Sequence, residues 1–162
     1  MNGCLRLAFL ASILFGGCAA WRGQRPATDV AVERQQRAAD AVRTFEEQRD
    51  GAQFQAALDR WAAGDIAGCE GRLRALAARR PADGTVRMRL AELLWSRGAP
   101  AEAEAELQAV LAVLPASAEA HHMLGMILSE QARLAEARSH LSRAIELAPQ
   151  CDDYRATLAS LP

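Results

Sequence analysis

Pro81, Pro115 and Pro149 are spaced by 34 residues, and so are Leu73, Leu107 and Leu141. A chain with a fixed period of this length is built from units that each present an apolar face only the next unit can cover. Aligned on these anchors, three units follow one another without a gap, 50–83, 84–117 and 118–151. Leu90 then falls over Leu124, Gly64 over Gly98 and Ala132, and Cys69 over Ala103 and Ala137, so the register is over-determined. The chain is rich in Ala, Leu, Glu and Arg and poor in Phe, Tyr, Ile and Thr, which selects helix over strand almost everywhere. An all-α protein is expected. Each proline stops a helix, the small residues let neighbouring helices approach, and glycine at the turn adopts a backbone that other residues enter at a cost.

This pattern resembles the tetratricopeptide repeat, a 34-residue pair of antiparallel helices closed by a proline. The third unit carries it best, in Leu124, Gly125, Leu128, Ala137, Leu141, Ala144 and Pro149. The second keeps Leu90, Ala91, Leu94, Ala103, Leu107 and Pro115, with Val110 for a small residue. The first has Ala56-Ala57 for the Leu-Gly pair and Arg60 where an aromatic or leucine is usual, then Gly64-Asp65-Ile66, Leu73 and Pro81. The resemblance implies a right-handed α-solenoid of three helix-turn-helix units within a domain spanning 50–162. A preceding helix is expected over 30–49, either capping the solenoid or standing as a solvated stalk. A short C-terminal cap follows at 152–162, where Asp152-Asp153 can cap a helix N-terminus and Tyr154, Leu158 and Leu161 can cover the last repeat. Two repeats separate Cys69 from Cys151, too far for a disulfide.

The N-terminus reads as an export signal, with Arg6, an apolar run from Leu7 to Phe15, and small residues from Gly16 to Ala20. That run is shorter than the ~20 residues a membrane-spanning helix needs. LFGGC resembles the bacterial lipobox, with Phe15 where that motif usually has Leu. The resemblance implies that 1–17 is removed, that Cys18 is lipidated, and that 18–29 tethers the domain to a membrane. Ala19 in place of an Asp retention signal favours the outer membrane. The expected place is thus the periplasm-facing side of the cell envelope; cleavage near Trp21 would instead release a soluble periplasmic or secreted protein.

By the same family resemblance, the first helix of each unit lines a concave surface. The positions that face a ligand there are Phe54, Leu58 and Trp61, then Thr85, Met88, Glu92 and Trp95, then Glu119, His122, Met126 and Ser129. Trp61 and Trp95 occupy one register, and an aromatic and methionine row of this kind suits a peptide or helix of a partner protein. The family's two-carboxylate clamp needs lysines on this face, and all nineteen basic residues are Arg. These are interspersed with twenty acidic ones, which argues against nucleic acid. HHMLGMIL, His121 to Leu128, places His122 and Met126 on one helical face. Two neutral donors make a weak copper site, so no metal or cofactor is expected. No catalytic constellation is present, and an enzyme is not expected. The reading is a scaffold for an envelope assembly; the alternatives are a self-associating structural module and a copper-binding envelope protein.

Overall fold

The computed structural model describes residues 27–162, so the export signal, Cys18 and most of the tether lie outside the described residues. The described chain consists of seven helices: α1 (Ala27–Ala62), α2 (Ile66–Arg79), α3 (Gly84–Ser96), α4 (Pro100–Val113), α5 (Ala118–Glu130), α6 (Leu134–Leu147) and α7 (Asp152–Ala159). None is long and apolar enough to cross a membrane. The chain divides into two units, ending and beginning at Phe45 and Glu46. In the first, the described part of α1 exposes Val30, Val32, Val42 and Phe45. The separate helix expected over 30–49 and the first helix of the first repeat are one continuous α1.

The second unit is a helical solenoid of helix pairs. Helix α3 packs on α4 and α5 on α6, while α2 with α3 and α4 with α5 join successive repeats, and α7 packs on α6 beyond the last of them. Register positions recur in the core: Cys69, Ala103 and Ala137 are all fully buried, as are Leu73, Leu107 and Leu141. Burial as a small apolar group raises the Cys69 thiol above its ordinary value, and neither Cys69 nor Cys151 is in a disulfide. Arginines fasten repeat to repeat from outside, Arg97 to Glu70 at 2.9 Å and Arg133 to Glu104 at 2.8 Å, while Arg87 to Glu106 at 2.6 Å joins the two helices of the second repeat.

The turns repeat as faithfully as the core. Each first helix ends in a Schellman motif, with Asp65 N–H donating to the Arg60 carbonyl, Ala99 to Leu94 and Arg133 to Leu128, all at 2.9 Å. That motif needs a left-handed residue, and Gly64 (φ 80°), Gly98 (φ 81°) and Ala132 (φ 59°) supply it. Ala132 is the one non-glycine with positive φ among the described residues, and its Cβ costs about 1–2 kcal/mol in that region. Ala132→Gly should therefore raise stability by roughly 0.5–1 kcal/mol after glycine's unfolded-state entropy is subtracted. A chemical-denaturation midpoint that does not rise would place the strain elsewhere.

Helices α3 and α5, the first helices of the second and third repeats, start on side-chain caps. Asp83 accepts from Thr85 N–H at 3.1 Å and Val86 N–H at 3.3 Å, and Ser117 accepts from Ala120 N–H at 3.3 Å. The last cap differs from the sequence expectation. Cys151 is the N-cap of α7 and makes no side-chain cap bond, while Asp152 and Asp153 lie inside the first turn. There their charge complements the positive end of the helix rather than closing it.

Candidate protein-binding surface

The burial pattern of each first helix leaves one stripe open. On α5, Ala120, Met123, Leu124, Gly125, Ile127 and Leu128 are buried, while Glu119, His122, Met126, Ser129 and Glu130 are not. On α3 the open stripe is Thr85, Met88, Arg89, Glu92 and Trp95, and on α1 it is Phe54, Leu58 and Trp61. Spacings of three and four put each set on one helical face. Phe54, Trp61, Met88, Trp95 and Met126 rest against the core and stay half-buried. Each has one apolar side on the protein and one to offer.

Contacts between these stripes follow the repeat. The Trp95 indole Nε1–H donates to Glu130 Oε2 at 2.6 Å across two repeats. One repeat later, His122 Nε2 lies 3.0 Å from Thr157 Oγ1, and its ring stacks on Tyr154 at a centroid distance of 4.5 Å. Both hydrogen bonds join residues 35 apart. Thr157 Oγ1–H donates to the Asp153 carbonyl at 2.8 Å, so it accepts from His122 Nε2–H. The sequence placed His122 on the open surface; the structure commits its ring to α7. Burial lowers the His122 pKa from the ordinary histidine value, against Asp153 and Glu119, which act to raise it. Glu92 is paired with Arg89 at 2.7 Å. Sequence reasoning passed over Arg89, Glu130 and Thr157, and gave Tyr154 the role of covering the last repeat without its stacking on His122. The signal for Glu130 and Thr157 was in the repeat, because a residue one period plus one position away is the natural neighbour of a groove residue.

His121 sits half-buried between α5 and α6. Its Nε2 is 3.2 Å from the Pro115 carbonyl, which can only accept, so that nitrogen carries the proton. Its Nδ1 therefore accepts from His140 Nδ1–H at 2.9 Å. The ring centroids are 5.2 Å apart, about a ring's width more than the nitrogen separation, so the nitrogens point at each other. The gap fits a proton and leaves no room for a metal ion. A cavity of about 150 Å³ opens beside Phe54, lined by Asp50, Leu76, Arg80, Asp83, Thr85 and Val86.

Comparison with known proteins fits this architecture. The profile of the tetratricopeptide repeat family matches residues 60–127 and again 94–161. No curated protein matches significantly by sequence. Among solved structures, the first tetratricopeptide domain of Spaghetti (RPAP3), bound to the HSP90 peptide SRMEEVD, superposes with a TM-score of 0.66 at 16% identity, covering 70% of this chain and 90% of that one. The Yersinia enterocolitica type III secretion chaperone SycD, in complex with a peptide of the translocator YopD, gives 0.63 at 18% identity, covering 68% and 87%. MamA from Desulfovibrio magneticus RS-1 gives 0.61 at 22%, covering 67% of this chain and 62% of MamA. At these identities the likeness shows the fold alone. The family profile, whose two matches together cover more than half of the chain, goes further: this chain belongs to the tetratricopeptide repeat family.

Proposed function

We propose that this protein is an exported scaffold, anchored by lipid at Cys18, that holds a segment of an envelope protein on its repeat surface. The observation that carries the binding role is the row of half-buried apolar side chains in one register, Trp61 on α1 and Trp95 on α3, extended by Phe54, Leu58, Met88 and Met126. Tryptophan with one free side in a concave setting is what interface anchors are made of. Glu92 and His122 supply polar edges to this row. Two of the structural neighbours are solved with a peptide bound, which supports a binding role of the same general kind. The reading assigns the chain no catalytic step and no cofactor.

The anchor rests on Arg6, the run Leu7 to Phe15 and the LFGGC stretch ending in Cys18. Acyl chains add ~0.8 kcal/mol per buried methylene, so two or three would hold the domain at a membrane. Intact mass and fractionation, wild type beside Cys18→Ser, test this part. An acyl mass increment that disappears with serine, together with release from the outer-membrane fraction, is the expected result. An unmodified chain beginning near Trp21 would make the protein a soluble periplasmic or secreted adaptor. For the surface, photo-crosslinking in membranes followed by mass spectrometry should identify a partner segment with the wild type and lose it when Trp61→Ala and Trp95→Ala are combined. Unchanged crosslinks would move the binding site off this row.

A further inference from the structure

The arginines of this chain are unevenly spent, and the pattern bears on what the surface takes. From Asp50 onward the carboxylates of Asp50, Asp65, Glu70, Asp83, Glu92, Glu102, Glu104, Glu106, Glu136, Glu146 and Asp152 each have an arginine partner. Apart from Asp59, the ones without an arginine partner among the described residues are Glu119, Glu130 and Asp153. All three border one stretch of surface. Glu119 and Glu130 end the open stripe of α5, either side of His122 and Met126. Asp153 and Glu119 both act electrostatically on the His122 ring, which stacks on Tyr154. Arg89, the arginine of the open α3 stripe, is held by Glu92.

Resting on the groove reading above, we propose that the segment held here is cationic: an extended stretch of another protein that alternates arginine or lysine with apolar side chains. Trp95 makes the geometry specific. Its indole N–H is fixed on the Glu130 carboxylate at 2.6 Å, which places a negative charge at the ring edge. A guanidinium or ammonium can meet that carboxylate and the aromatic face together, two attractions that reinforce each other. Met88 and Met126 offer adaptable apolar contact for the alternate side chains. Glu119 and Asp153 extend the negative field to the α7 end, where it would steer a basic chain into place and repel an acidic one. The Spaghetti domain binds the peptide SRMEEVD, which carries acidic residues; such a ligand would meet like charge on this surface.

The experiment uses the full chain and two synthetic peptides of equal length, one alternating leucine with arginine and the other leucine with glutamate. Tryptophan fluorescence and calorimetry read the affinity between about 50 and 300 mM salt. The arginine peptide should bind, weakening as salt rises, and the glutamate peptide should not. Glu119→Lys combined with Asp153→Lys should weaken the arginine peptide by roughly tenfold. Glu130→Gln should weaken it as well, and Asp59→Lys should leave it unchanged. Unaltered circular dichroism shows that each variant is folded. Equal binding of both peptides, abolished by the paired Trp61→Ala and Trp95→Ala changes, overturns the charge preference and leaves the groove reading standing. Binding of neither peptide, or binding sensitive only to Asp59→Lys, also overturns the proposal, while the crosslinking result decides the groove on its own. If the wild-type chain sediments as a dimer that the arginine peptide dissociates, the occupant is a second copy and a separate cationic partner is ruled out.

Discussion

Gly125→Ala should lower the stability of this protein by roughly 1–3 kcal/mol, although alanine is the better helix former. In an open helical position the same change gains up to about 1 kcal/mol, so the sign decides between two pictures. A Cβ at Gly125 would stand 2.6 Å from Leu141 Cγ, 2.9 Å from its Cδ2 and 3.3 Å from the Ala137 carbonyl oxygen. Leu141 is fully buried and the carbonyl is backbone, so neither can swing aside and α5 must lift from α6. Gly71 on α2 is the control, because a Cβ there meets nothing within 4 Å and Gly71→Ala should stabilise. Denaturation midpoints of the two variants give the comparison. Leu141→Ala alone should cost about 2–5 kcal/mol. Combined with Gly125→Ala it should cost clearly less than the sum, because each change relieves the other. Additive costs would mean that the Gly125 approach to Leu141 does not set the packing of the third repeat.

That contact shows why the fold was legible before any coordinates. The Gly125 and Leu141 positions, the Cys69, Ala103 and Ala137 set and the left-handed turn residues are dictated by close helix approach and backbone sterics. Such constraints act on residue size, which a sequence displays, and threefold repetition turns each one into a register mark. The continuity of α1 was hidden because Asp50-Gly51, residue types that often open a turn, falls at the boundary drawn by period, yet the helix runs through both. The surface was only half legible. The family resemblance pointed to Trp61, Trp95, Met88 and Met126, and the structure leaves all four half-buried beside the core. The commitment of His122 to Tyr154 and Thr157, and of Trp95 to Glu130, depends on how far one helix is offset against the next. Offsets of that kind are set by packing between repeats, so they show only when one repeat is read against the next, as a spacing of one period plus one position.

His122 and His140 lie in the third repeat, and their environment makes stability depend on pH in a defined window. Burial lowers the pKa of His140, assisted by His121 and Arg133 and opposed by Glu136 and Glu104. His122 is lowered by burial as well, opposed by Asp153 and Glu119. For a histidine lowered on folding, the unfolded chain binds the proton more readily than the folded one. Stability is therefore highest above the ordinary value of ~6.5 and falls as pH drops from there toward the lower folded values. Each group contributes at most about 1.4 kcal/mol per pH unit within the window. The hydrogen bonds give the loss a location. Protonating His140 puts a positive charge into the half-buried seam between α5 and α6, where its ring lies against His121. Glu136, held low by Arg133, loses its contribution only below the ordinary glutamate range, so its effect stays outside the histidine window. Urea midpoints should hold between about pH 8 and 7 and decline toward pH 5.5, and His122→Phe with His140→Gln should flatten that decline. A double variant with the wild-type slope would assign the acid sensitivity to other groups. Hydrogen exchange should show α7 losing protection first, because Thr157 and Tyr154 hold it to the repeat through the ring of His122.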